Sequence, residues 1–415
     1  MLDFTMSDDI KDIVNGLYKF VDQVVVPLEK DNHALLESER DMFDRNGHFV
    51  SEVLELRKEI RLKSAEAGYY TMFGAEELGG GGFGAITMVA VLESLYHKYG
   101  LALERPLLDD VVIPSTFSNG LSPVLNNIKP ELRDKLLPDI AAGKVTLCFA
   151  LSEPDAGSDV MAMRTKAVKK GDKWVINGSK QWITNSAYAD YAMVFAITDP
   201  ELKASSKGKG VSCFLVDCNS EGLDRQSVIP FMGSLGGNIG IILFDNVEVP
   251  EENVMGTLND GLKIAMGGVT KGRVGMSAKA VGTARWALEQ AVEYANIRKT
   301  FGKTIGQHQA VQIKLAESAM DIYAAKAMLY KTAWEIENFD KPPIRDISCT
   351  KAFCTEMLGR VTDHAIQVHG AMGITNDLQL NMAFRRARTL RIPDGTAEIQ
   401  RRTIAQELLK GRTEF

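Results

Sequence analysis

Five short segments hold the residue types and spacings able to do chemistry. SEPDAGSD (152–159) is a polar turn rich in Pro, Gly and Asp, whose backbone N–H groups and Ser158 hydroxyl could hold a ligand oxygen; otherwise it is an ordinary turn. In QWITN (181–185), Trp182 and Thr184 stand two apart on a strand and so share one side. A tryptophan beside a hydroxyl can wall a flat aromatic cofactor, or be a core Trp beside a strand Thr. RKTFGKTIGQHQAVQ (298–312) gathers Arg298, Lys299 and Lys303 near a helix start. That suits a pyrophosphate, because Arg forks onto phosphate oxygens and a helix N-terminus offers free N–H groups; the alternative is a solvated basic loop. QVHGAMGITND (367–377) carries Gly370 and Gly373, which let a ligand approach backbone closely, although a C-cap explains one of them. In RIPDGTAEIQRR (391–402), Pro393 and Asp394-Gly395 make a turn into a final helix, with Asp394 or Thr396 suited to its N-cap.

The elements that must position these segments change texture twice. Residues 1–143 read as an N-terminal helical domain: Ile10, Ile13, Leu17, Phe20, Val21 and Val24 recur at helical spacing. Within it, EELGGGGFGA follows a helix rather than a strand, so its glycines are a turn and not a dinucleotide fingerprint. Residues 144–256 shift to a period near two, with VTLCFAL, KWVINGSKQWITN, YAMVFAIT, GVSCFLVD and IGIILFDNVEV as strands, and Asn177-Gly178 as a hairpin signal. Strands without intervening helices predict a small antiparallel β domain. Residues 257–415 return to helical spacing, with four long helices expected near 260–298, 306–338, 344–371 and 377–411. The fold class is therefore mostly α with a central β domain.

The whole chain fits this organisation. Its 415 residues suffice for several domains, with 45% hydrophobic and 25% charged residues as in soluble globular proteins. No apolar run approaches a membrane span, so no membrane insertion is expected. The net charge of −6 disfavours nucleic acid as a partner. Five scattered cysteines without a CxxC argue for a reducing compartment and against a metal site. The acidic start, MLDFTMSDDIKDI, lacks signal- or transit-peptide character.

In this order and spacing, SEPDAGSD, WITN, RKTFGK with HQ, QVHGAMG and DGTAEIQ resemble the FAD-dependent acyl-CoA dehydrogenase family over nearly the whole chain. The resemblance implies that family's fold: an N-terminal helical domain, an antiparallel β domain and a C-terminal four-helix bundle. It further implies that Phe149, Leu151, Ser152, Gly157 and Ser158 line FAD, with Trp182, Ile183 and Thr184 against the flavin. Arg298, Thr300, Phe301, His308 and Gln309 would reach the FAD of a neighbouring subunit, and Gln367, Val368, Gly370 and Ala371 would also approach FAD. Thr396 and Glu398 would hold it from the last helix. Ser158, Thr270, Arg273, Gly395 and Asp110 would face the acyl-CoA. A homotetramer built as a dimer of dimers, an electron-transfer flavoprotein as electron acceptor, and a bacterial cytoplasmic location rather than a processed mitochondrial one follow from the same resemblance. So does the reaction: a carboxylate removes a thioester α-proton while a hydride leaves the β-carbon for the flavin, giving an enoyl-CoA.

The chain departs from the family pattern at the base. The usual Glu before Gly-Thr is Asp394, the usual aromatic before it is Pro393, and the alternative base position before Arg273 is Gly272. Asp394 is thus the expected base. Its shorter side chain fits three outcomes: a branched or cyclic acyl-CoA, an enoyl-CoA reductase, or a nitroalkane oxidase-like enzyme of the same fold. Asp109 and Asp110 form a second acidic candidate, with a solvated turn as the plainer alternative.

Overall fold

The computed structural model describes residues 6–100, 105–115, 117 and 119–414. The chain divides into two compact units. The first comprises Met1–Phe20, Gly84–Arg105 and Thr270–Phe415; the second comprises Val21–Phe83 and Pro106–Val269. Among the described residues, no helix is long and apolar enough to cross a membrane.

In the second unit, helices α2 (Ser51–Glu66) and α4 (Pro130–Ala141) accompany one large sheet. Its strands are β1 (Leu147–Ala150), β2 (Lys166–Lys170), β3 (Lys173–Thr184), β4 (Tyr191–Ile197), β5 (Val211–Asp217), β6 (Leu223–Val228), β7 (Ile239–Pro250) and β8 (Val254–Met255). The order is β6-β7-β3-β2-β4-β5-β8, with β1 on β4. Most pairs are antiparallel, as expected, but the sheet is mixed: β1 pairs β4 in parallel, and β2 meets β4 in parallel at Lys166–Ile197. The forty-odd residues between β1 and β4 are long enough for such a crossover. Strand β4 is buried on both faces, with Met193, Phe195 and Ile197 in one apolar cluster and Ala192, Val194 and Ala196 in another. Burial on both sides explains why YAMVFAIT reads as a continuous apolar run rather than an alternation.

The first unit holds α1 (Asp8–Phe20), α3 (Ala85–Lys98), α5 (Gly261–Ile297, from Thr270), α6 (Gln309–Asn338), α7 (Ile344–His369), α8 (Leu380–Leu390) and α9 (Ala397–Leu409). Helix α7 packs against α6, α8 and α9 and is buried along much of its length, through Ile347, Cys354, Leu358, Val361 and Ala365. The fourth C-terminal helix expected over 377–411 is two helices, because Pro393-Asp394-Gly395 interrupts it. Buried Glu93 on α3 receives the Tyr330 hydroxyl at 2.6 Å and pairs with Arg285 at 2.7 Å and Lys326 at 3.0 Å, tying α3 to α5 and α6.

Candidate active site

The α8–α9 turn is held at its carbonyls. Arg273 Nε on α5 donates to Asp394 O at 2.9 Å, and Lys351 Nζ on α7 donates to Gly395 O at 2.9 Å. Gln400 Nε2 on α9 donates to both, at 3.1 and 3.0 Å. Arg273, Lys351 and Gln400 are all buried. The helix start is capped by Thr396, whose Oγ1 accepts from Ile399 N–H at 3.3 Å; Asp394 is therefore free of capping duty. The Asp394 carboxylate makes no hydrogen bond or ion pair with the described residues, and neither does its N–H. Burial pushes this carboxyl up to about 6, against the opposing pull of Lys351 and Arg273. Burial likewise brings the Lys351 ammonium down to about 8, against the attraction of Asp394. An unpaired carboxylate poised near neutrality is what general-base chemistry requires.

The turn leaves little freedom. Asp394 and Gly395 both have positive φ, 55° and 89°. A Cβ on Gly395 would stand 2.8 Å from Gln400 Nε2 and 3.3 Å from Arg273 Nη2. Gly395→Ala is therefore expected to shift the turn and lower kcat by about a hundredfold, the scale of a 1 Å misplacement. Steady-state kinetics beside a melting curve checks this, since a loss confined to stability would contradict it.

Sequence reasoning missed Lys351 and Gln400. A signal existed for the first, since Lys351 occupies an apolar place in the stripe formed by Ile347, Cys354 and Leu358. Arg273, expected at the CoA, spends its Nε on the turn carbonyl. Thr270, half-buried, lies one turn earlier on α5.

In the second unit the structure joins two of the expected segments. Ser152 Oγ donates to Gln181 O at 2.8 Å, and Gln181 N–H donates to Ser152 O at 3.0 Å. Lys180 Nζ donates to Leu151 O at 3.0 Å and to Glu153 Oε1 at 2.7 Å. The Ser152 hydroxyl is thus engaged within the chain. Gly157 and Ser158 are exposed, and Phe149 lies between Phe117 and Phe195 at centroid distances of 5.1 and 5.0 Å. Trp182 is a bulge residue at φ 66° between Gln181 and Ile183, and it is 50% exposed. Simple alternation does not place it; the bulge turns it outward. Thr184 is half-buried, whereas the Ile183 side chain belongs to the core, leaving only its backbone for a ligand. Asp110, at φ 54°, and Asp109 lie within electrostatic reach of the half-buried Arg57 guanidinium.

The remaining residues of the first unit gather at another place. A two-stranded hairpin, β9 (Lys299–Thr300) and β10 (Lys303–Thr304), joins α5 to α6. Thr300 Oγ1 lies 3.2 Å from His308 Nε2, while Phe301 is 96% exposed and Gln309 opens α6. The Arg298 side chain is exposed, with no acidic partner among the described residues. Tyr294 stacks on His369 at 4.4 Å, which brings Gln367, Val368, Gly370 and Ala371 beside the end of α5. Gln367, Gly370 and Ala371 are exposed; the Val368 side chain is buried. Gln367 follows Lys351 by sixteen residues on one helix, about 24 Å at 1.5 Å per residue. Arg298 follows Arg273 by twenty-five residues, about 37 Å by the same rise. Thr396 and Glu398 stay with the Asp394 turn, Glu398 exposed in the first turn of α9.

Known proteins match this chain throughout. "Acyl-CoA dehydrogenase, middle domain" matches residues 148–247 and "Acyl-CoA dehydrogenase, C-terminal domain" matches residues 259–409. A 3-(aryl)acrylate reductase of Clostridium sporogenes is 34% identical over 87% of this chain and 93% of its own. The caffeyl-CoA reductase-Etf complex subunit CarC of Acetobacterium woodii is 33% identical over 89% of this chain and 93% of its own. A solved FAD complex of PigA superposes with a TM-score of 0.84 at 26% identity, covering 98% of this chain and 99% of that one. With two domains matched in sequence order and relatives aligned along most of its length, the chain belongs to the acyl-CoA dehydrogenase family of FAD-dependent oxidoreductases.

Proposed function

We propose that the chain dehydrogenates an acyl-CoA thioester, with Asp394 as general base. The observation that carries this reading is the Asp394 carboxylate itself: half-buried, without a hydrogen bond or ion pair among the described residues, and pushed up to about 6. The Asp394 N–H, equally free among the described residues, can donate to the thioester oxygen as its charge grows during α-proton removal. Arg273, Lys351 and Gln400 fix the turn so that both groups stay aimed together. Bound FAD supplies the hydride acceptor for the β-carbon.

The residues present fit FAD. Gly157 and Gly370 have open space where a Cβ would be, Trp182 presents an exposed aromatic surface, and Arg298 offers an uncompensated charge for a pyrophosphate. On the second unit, Ser158 and Thr184 offer hydroxyls, and Phe149, Leu151, Ser152 and Ile183 support these positions through backbone and packing. The Arg298 and Gln367 group lies about 37 and 24 Å along its helices from the Asp394 group. One dinucleotide does not span both, so we assign the Arg298 group to the FAD of a neighbouring copy within a homotetramer. An electron-transfer flavoprotein is the proposed electron partner, in keeping with the name of the Acetobacterium relative. The five free thiols suit a reducing bacterial cytoplasm.

The test is anaerobic flavin bleaching with a panel of straight, branched, cyclic and dicarboxylic acyl-CoAs. The expected result is rapid bleaching by one class, with slow reoxidation by oxygen. The reductase names of two relatives favour a second reading, in which the same groups work in reverse. Dithionite-reduced protein that is reoxidised by an arylacrylyl-CoA, while no saturated thioester bleaches the oxidised form, would select it.

A further inference from the structure

We propose that Lys351 is a positioning residue for catalysis: buried beneath the Asp394–Gly395 turn, its ammonium both tethers that turn and supplies the counter-charge of the Asp394 carboxylate. This rests on Asp394 being the base. The Lys351 side chain is fully buried on α7, and among the described residues its one side-chain hydrogen bond goes to Gly395 O. One neutral carbonyl does not compensate a buried ammonium, which must find an opposite charge nearby.

The charged groups facing it are few: Arg273 from α5, Asp394 in the turn, Glu398 at the start of α9, and Glu356 on its own helix. Glu356 is already engaged, bidentate, by Arg401 at 2.7 and 2.8 Å, with Arg391 at 3.5 Å. Glu398 is exposed, so water screens it. Arg273 repels. Asp394 is therefore the remaining counter-charge for Lys351. The converse holds as well, because the Asp394 carboxylate has no hydrogen bond among the described residues and depends on the two cations beneath its turn for its ionised form. Arg273 keeps its proton at all working pH values, so Lys351 is the cation whose loss is informative.

The test compares Lys351→Gln, Lys351→Met and Lys351→Arg holoenzymes, using as substrate the acyl-CoA that bleaches the flavin fastest. Gln keeps a donor for Gly395 O without a charge, and Met fills the volume without either; a folding failure of one leaves the other. In both, the acid limb of kcat/KM is expected to move up by about one pH unit, the scale set by losing one nearby opposite charge. Lys351→Arg is expected to restore the limb. Infrared difference spectra against Asp394→Asn, without substrate, should show the protonated-carboxyl band titrating with the same displaced midpoint. An unmoved limb and band in the uncharged variants would overturn the inference while leaving the base assignment standing. Full dehydrogenation by Asp394→Asn would instead remove the base assignment itself.

Discussion

Asp394→Asn is expected to slow flavin reduction by acyl-CoA by about 10³-fold or more while FAD stays bound, the range of a lost general base. The amide has the carboxylate's shape. Because the carboxylate makes no hydrogen bond with the described residues, none is lost there, and Arg273, Lys351 and Gln400 still hold the Asp394 and Gly395 carbonyls. The loss should therefore appear in single-turnover bleaching and not in flavin content. In the unaltered chain the same carboxyl must be ionised to accept a proton, so kcat/KM should fall tenfold per pH unit below about 6. Stability should move the other way. The folded carboxyl sits above its ordinary value of 3.8, so the fold favours the protonated form. Its contribution is favourable below pH 3.8 and is lost as pH rises through about 6. Above that, the ionised carboxylate costs up to ~3 kcal/mol, which an amide does not incur. Asp394→Asn should then melt higher than the unaltered chain at pH 8 and together with it near pH 4. If bleaching survives in Asp394→Asn and disappears in Asp110→Asn, the base lies at Asp110 instead.

The elements that position this site were legible wherever local chemistry decides them. The β-rich composition around YAMVFAIT and GVSCFLVD located β4 and β5, and the apolar spacing located α5, α6 and α7. Pro393-Asp394-Gly395 carried the signal for the break between α8 and α9, since two successive residues adopt positive φ there. What stayed hidden depends on distant partners. The parallel pairing of β1 with β4 is a register across forty-odd residues, which no local pattern encodes. The outward turn of Trp182 comes from a bulge against β7, where its left-handed φ is imposed by the ladder on both sides. Gln400 looks like a surface residue of an amphipathic helix, and Lys351 betrays itself only by its place in an apolar stripe. They are buried only because α7 is enclosed by its neighbours and the turn needs donors for its carbonyls.

Lys180→Met is expected to destabilise the chain by about 3–5 kcal/mol and to strip flavin from the purified protein, the cost of leaving one member of a buried ion pair unpaired. Lys180 is fully buried, and Glu153 nearly so. Burial brings the Lys180 ammonium down to about 8, against the attraction of Glu153. Burial also opposes ionisation of Glu153, but Lys180 outweighs it and holds the carboxyl below its usual range. Glu153 does more than neutralise. Its Oε2 accepts from Arg164 N–H at 2.6 Å and its Oε1 from Thr165 N–H at 3.1 Å, so the carboxylate anchors both ends of the loop that carries Gly157 and Ser158. Lys180 fastens the start of that loop to β3 through Leu151 O. Without the ammonium, Glu153 must take up a proton or draw in water, and either change loosens the loop proposed to line FAD. The double variant Lys180→Met/Glu153→Gln separates pair from packing, because a neutral amide needs no counter-charge. It should recover part of the lost stability, since residues that share one interaction do not act additively. Denaturant unfolding of the two variants, with flavin-to-protein absorbance ratios, decides the matter: a double variant less stable than Lys180→Met would mean that the side chains act separately and that the loop is held by its backbone alone.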